Sequence, residues 1–378
     1  MKHRKLYSVI SVFILLAAFL SGCGDSKDIN DQLIATTIIF DYKDGEIWYY
    51  LEIANIETGN NKESGTSANK YIVRKGNGKT LTEVRDDLDA HLDKPLYLSG
   101  IRTLIFTESF ARKHLVEYLY RYRADEGYRK KGLTVITKED PEELYKSAHE
   151  QNTSTGLLAE GIVKTLDESG KSFLRTTIRL IENLSAEYTG ILIPCIGFHD
   201  KELAVIGYSV ISGSDVVGLL PAPESRGTMF LKADKAKFYY SVPYNEVNYA
   251  IEVRVKKKRI KPTYEEGKIN FSIKMDCSAE LGYGDKKTPY NLNKAALDEI
   301  SETLAATLEQ EISDAVKRAQ TEFACDYLQF DDIFRVKFPV EFERMDWGKE
   351  FPQVGASVDV KVKLSTKWGM DYSAGEAK

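Results

Sequence analysis

VNYAIEVRVKKKRIKPTYEEGKINFSIKMDCSAELGY, residues 247–283, decides how the second half of this chain folds. Ile251, Val253 and Val255 alternate with polar residues, as do Ile269, Phe271 and Ile273 beyond a Glu265-Glu266-Gly267 turn. A period of two puts the apolar side chains of each strand on one face and leaves the other wet. Two long antiparallel strands with a face to cover are therefore predicted. The cover follows in the sequence. Leu297, Ile300, Leu304, Leu308, Ile312, Ala315, Ala319 and Phe323 recur every three or four residues without an intervening Gly or Pro. That spacing predicts one long helix over 294–325, with an apolar stripe lying across a sheet. SVDVKVKLS (357–365) alternates again and adds a closing strand.

Upstream of this hairpin, short strands are expected in GILIPCIGF (190–198), ELAVIGYSVI (202–211), TMFLKA (228–233) and AKFYYSVP (236–243). The first half differs. LIATTIIF and EIWYYLEIANI flank Asp44-Gly45, a strong hairpin turn signal. Strands NKYIVRK, IRTLIF and LTVIT then alternate with helices marked by Leu81, Val84, Leu88 and Leu92, by ESFARKHLVEYLYRYR, and by Asp140-Pro141. Such alternation predicts a sheet covered by helices. Residues 153–187 read as helical, and the polar segment 57–70 as a loop. The expected fold is α+β and multi-domain, with mixed and antiparallel sheets flanked by helices. The divisions are a signal peptide over 1–22, an N-terminal α/β region over 23–190, a C-terminal α+β domain over 191–370 and a tail over 371–378.

The start of the chain carries an address. A basic opening (Lys2, Arg4, Lys5) precedes an apolar run from Leu6 to Leu20, which ends in Leu20-Ser21-Gly22-Cys23. Fifteen helical residues rise only about 22 Å, short of the roughly 30 Å bilayer core. The pattern is that of a secretory signal. The Cys directly after small residues resembles the bacterial lipoprotein signal, in which the Cys23 thiol takes a diacylglycerol and becomes the new N-terminus. Several acyl chains on one residue meet the need for more than one hydrophobic signal in stable anchoring.

Removing residues 1–22 takes three basic residues and no acidic one, so the formal charge moves from −5 to −8. An acidic body argues against general nucleic-acid binding, which needs clustered Lys and Arg. Cys195, Cys277 and Cys325 remain, odd in number and without CxxC spacing, and read as buried thiols. No GxSxG, P-loop, HExxH or GxGxxG occurs, and the histidines show no metal-ligand spacing. No catalytic residue and no metal or cofactor, apart from lipid on Cys23, is expected. Two features rise above background. Glu224, Ser225, Arg226 and Gly227 form a charged turn suited either to docking a partner or to bracing a loop. Arg254, Lys256, Lys257, Lys258, Arg259 and Lys261 form a basic strip, either the solvent face of a strand or a surface for anionic headgroups.

Taken in order, these landmarks resemble the Ger(x)C family, the lipoprotein C subunit of nutrient germinant receptors. The resemblance runs through Cys23 with the charged segment Lys27-Asp28-Ile29-Asn30-Asp31, a first strand closing on Asp41, and HLDKPLYLSGIRTLIFTESFARKHLVEYLYRYR with its Arg121. It continues through AVIGYSV, PESRGTMFLK, CDYLQFDDIFRVKFPVEFERM and VDVKVKL. Two departures stand out. Gly24-Asp25-Ser26 replaces the family's Trp after the lipidated Cys, and the Trp expected near Glu343 is absent, though Trp347 is close. The resemblance implies an elongated, non-enzymatic subunit in the spore inner membrane, held on its extracytoplasmic face and partnered by integral membrane A and B subunits. A solute-binding lipoprotein serving a membrane transporter is the alternative. A pocket with convergent polar groups would favour it.

Overall fold

A computed structural model of the chain describes residues 28–55, 70–124, 127–129, 131–174, 176–184, 190–284 and 292–366. Cys23, all but one residue of the 57–70 loop and the 371–378 tail lie outside the described residues.

The chain begins with β1 (Leu33–Lys43) and β2 (Glu46–Ala54), joined through Asp44 and Gly45, both at positive φ as a tight hairpin turn requires. After β3 (Tyr71–Gly78) come α1 (Leu81–Asp89), a two-residue β4 (Leu96–Tyr97), β5 (Thr103–Thr107) and α2 (Glu108–Ala124). Then follow β6 (Leu133–Thr137), α3 (Pro141–Glu150), α4 (Thr155–Glu168) and α5 (Thr177–Leu184). Three further strands, β7 (Ile191–His199), β8 (Glu202–Ser212) and β9 (Asp215–Pro221), complete a nine-stranded mixed sheet. Its order is β3-β2-β1-β5-β6-β7-β8-β9, with β4 beside β1, and β1, β5, β6 and β7 run parallel. Alternation sends Ile38, Phe40 and Phe106 to one face, under α1, α2 and α5, and Ile39 and Ile105 to the other, under α3 and α4.

The second sheet has the order β10 (Lys237–Tyr244), β11 (Val247–Glu265), β12 (Lys268–Gly284) and β13 (Gly355–Thr366). Its inner face packs on the long helix, here α7 (Lys294–Thr321), which buries Ile300, Leu304, Leu308, Ile312 and Ala319 as the spacing predicts. The same core takes in Leu192, Tyr208, Val210 and Leu220 of the first sheet, so the two sheets share apolar contacts.

Four expectations are altered. TMFLKA is not a strand but most of α6 (Arg226–Lys232), because Met229, Phe230 and Leu231 are all buried and such a run has no readable period. Helix 294–325 stops at Thr321, where Ala324 turns left-handed and Cys325 N donates to Ala319 O at 2.9 Å; no glycine marks the stop. The helical stretch over 153–187 is broken around Gly170, whose backbone lies against Lys235. Strands 191–221 continue the first sheet, so a division at 190/191 runs through that sheet and not between two.

Candidate functional site

Pro223 sits within a 3₁₀ turn, Ala222–Ser225, which feeds directly into α6. Residues 224–227 are gathered against α7. Glu224 pairs with Arg318, which also meets Glu322 at 3.2 Å. Arg226 approaches Glu311 at 3.6 Å and lies over the Tyr240 ring at 5.3 Å, while Tyr240 Oη donates to Glu311 at 2.5 Å. Ser225 is buried and its Oγ donates to Ala222 O at 2.8 Å. Gly227 lets the helices touch: a Cβ there would fall 2.0 Å from Glu311 O. The motif works within the chain as a clasp between α6 and α7.

At the other end of α6, Lys232 donates to Tyr327 O at 2.5 Å and to Gln329 at 3.1 Å. Lys258 reaches the same helix from β11, donating to Phe230 O and Ala233 O at 3.3 Å and to Leu231 O. An ammonium on the free carbonyls of a helix end satisfies them and suits the negative pole of the helix. Burial pulls the Lys258 pKa down, yet these carbonyls hold the side chain inside. The basic strip is thus divided. A β-bulge between Val255 and Lys257 shifts the phase, turning Lys258 inward and Lys257, Arg259 and Lys261 outward. The outward residues share a face with Lys274, Lys361 and Lys363 of the neighbouring strands.

Two buried carboxylates escaped the sequence reading. Glu52, fully buried, accepts from Thr36 Oγ1 and Ser154 Oγ at 2.5 Å, Thr37 Oγ1 at 3.1 Å, and Thr155 N and His149 Nε2 at 2.9 Å. His149 is bound to Glu52 and stacked by Tyr71. Burial alone would raise the Glu52 pKa, but these donors hold it below the ordinary value. Asp326 accepts from Phe330 N at 3.2 Å, Asp331 N at 2.8 Å and Trp347 Nε1 at 2.9 Å. Burial, then the neighbouring Asp331 carboxylate, pushes Asp326 up to about 7. Neither carboxylate has a distinctive neighbour in sequence: the partners of Glu52 lie 15 or more residues away, and Asp326, apart from its local caps, is held by Trp347, 21 residues on.

Cys195, Cys277 and Cys325 are free and buried, with pKa values pushed up by burial to about 11, 12 and 11. Thiolate character, which reactivity needs, is thereby suppressed. Among the described residues no grouping of His, Cys, Asp and Glu is arranged to hold a metal, and no helix is long and apolar enough to cross a membrane. A cavity of about 550 Å³ opens beside the start of β1, lined in part by Asn30, Arg74, His91, Asp93 and Lys94. It lies at one end of the first sheet, within elements of the N-terminal region, and its polar lining is the feature that the solute-binding alternative asks for.

Comparison with known proteins covers both halves. Residues 25–198 match the family model described as spore germination protein N-terminal domain, and residues 206–367 match spore germination B3/GerAC like, C-terminal. The chain is 21% identical over 372 residues to spore germination protein B3 of Bacillus subtilis, covering 96% of this chain and 98% of that one. It is 22% identical over 290 residues to spore germination protein A3 of the same organism, covering 72% and 73%. The crystal structure of the GerBC protein superimposes with a TM-score of 0.57 at 16% identity, covering 86% of this chain and 96% of that chain, and so shares the fold.

Proposed function

The chain belongs to the Ger(x)C family of spore germination proteins, and on that premise we propose that it is the non-enzymatic, lipid-anchored subunit of a nutrient germinant receptor. A role in germination follows from the family. The finer reading is that lipid on Cys23 holds the folded body against the spore inner membrane, on its extracytoplasmic side, where it scaffolds the integral membrane A and B subunits. The observation that carries this reading is the match of both halves, in order, over nearly the whole length of a germination protein. The charged turn at 224–227 braces α6 on α7 while Glu224 and Arg226 stay part-exposed, so docking of a partner there belongs to the same proposal. A scaffold needs fixed faces, and the fold supplies them through two sheets sharing one core.

Cross-linking in intact spore membranes, with this chain as bait, tests the proposal. Recovery of two multi-span proteins, linked to defined residues of this chain, is the expected result. Recovery of a transporter permease would support the solute-binding alternative, and recovery of no membrane protein would remove the scaffold reading.

A further inference from the structure

We infer that the outer face of the second sheet is the surface by which this protein lies against anionic phospholipid. The inner face is filled by α7, and the outer face of β11, β12 and β13 is left to solvent. Across it run the rows Arg259-Lys274-Asp359 and Lys257-Asp276-Lys361, with Lys261 beyond one end and Lys363 beyond the other. In this stretch six basic residues stand against two acidic ones, with Arg254 beside Ser278 and the Glu252–Glu280 pair further along the same face, on a chain whose formal charge is −5 overall. At its centre a depression of about 180 Å³ is walled by Lys257, Arg259, Lys274 and Lys361 together with the two aspartates and Met275.

The chemistry selects lipid over an acidic protein. Protein interfaces favour aromatic residues, Met and Arg and are depleted in Lys. Five of the six basic residues here are Lys, no aromatic residue stands in the two central rows, and the Met275 that borders the depression is buried in the inner core. Strands about 4.8 Å apart, with same-face residues about 6.8 Å apart along each strand, make a flat cationic array that meets many headgroups at once. The bulge at Val255–Lys257 builds this array, since it turns the following lysines to the sheet's outer side. The inference uses the membrane reading only to bring the chain near a bilayer.

The test reconstitutes the full chain, processed and acylated, with neutral phosphatidylcholine vesicles and with vesicles containing phosphatidylglycerol. Amine-reactive labelling of individual lysines is read by mass. Lys257, Lys274 and Lys361 should label about fivefold or more slowly on the anionic vesicles, as expected for basic residues held near such a surface. Lys164 on α4 and Lys317 on α7 should label alike on both. Protection should vanish in 1 M salt, where screening acts within about 3 Å, and in the variant Lys257→Glu/Lys274→Glu/Lys361→Glu. Flotation separates the two readings. A chain that floats only with anionic vesicles upholds the face and removes the anchor. One that floats with both vesicle types yet labels identically overturns the face. One that floats with neither overturns both, and protection that appears only when partner proteins are added to neutral vesicles also overturns the lipid assignment.

Discussion

At the residue scale, Glu52 and Asp326 give opposite pH dependences. The Glu52 pKa is depressed in the folded chain, so its contribution to stability is present above the ordinary carboxylate value and fades as pH falls below it. Asp326 is raised from 3.8 to about 7, so its contribution is present below pH 3.8 and is lost as pH rises through 7. Asp326→Asn should therefore flatten the fall in stability between pH 4 and pH 7. One proton bounds that slope at about 1.4 kcal/mol per pH unit. Denaturant midpoints at pH 5 and pH 7.5 for the two proteins measure it; an unchanged difference between the midpoints would show that Asp326 does not hold the proton. Glu52→Ala should cost about 3–5 kcal/mol, since it strands His149 and three hydroxyls in a buried site. Urea unfolding at neutral pH gives the figure directly.

The elements show what the sequence revealed and what it hid. Strands β11 and β12 and helix α7 were legible because each has one buried face, and a single period identifies it. Helix α6 was not, because Met229, Phe230 and Leu231 are consecutive and all buried, so no wet face marks a period. The bulge leaves a trace: the inward set passes from Ile251, Val253 and Val255 to Ile260, Pro262 and Tyr264, a change from odd to even numbers within a run of lysines. It predicts that neighbouring lysines differ. Lys258→Met should cost about 1–3 kcal/mol, because three carbonyls at the end of α6 lose their donor. Lys257→Met, on the wet face, should stay within about 0.5 kcal/mol. Equal melting temperatures for the two variants would contradict the assigned phase. The charged turn was legible as a motif, but its partners on α7 lie about 85 to 95 residues away and could not be read. Gly227→Ala should cost about 1–3 kcal/mol through overpacking on Glu311. Arg226→Ala, which removes a half-exposed ion pair and ring contact, should cost about 1 kcal/mol or less in the same thermal unfolding series.

On the scale of the whole molecule, the segment after α7 joins the two sheets. Asp326 O accepts from Gly190 N at 3.1 Å, the Cys325 thiol donates to Ile211 O at 3.6 Å, and Lys232 reaches Tyr327 O. Gly190 allows this approach, because a Cβ there would meet the Cys325 sulfur at 2.2 Å. In a body joined in this way, the lipid proposed on Cys23 would act on the two sheets together. Cys23→Ala tests that anchor. Losing the acyl chains removes about 0.8 kcal/mol for each buried CH₂, far more than any basic face restores. The variant should accumulate as unprocessed precursor, and germination of spores carrying it should slow, while the folded body keeps the melting temperature of the parent. The mass of the purified chain reports the acylation, and the fall in optical density of a spore suspension after nutrient addition reports the response. Slowed germination with a normal melting temperature would locate the defect in anchoring. A lowered melting temperature would locate it in folding, and an unchanged mass and response would remove Cys23 as the anchor.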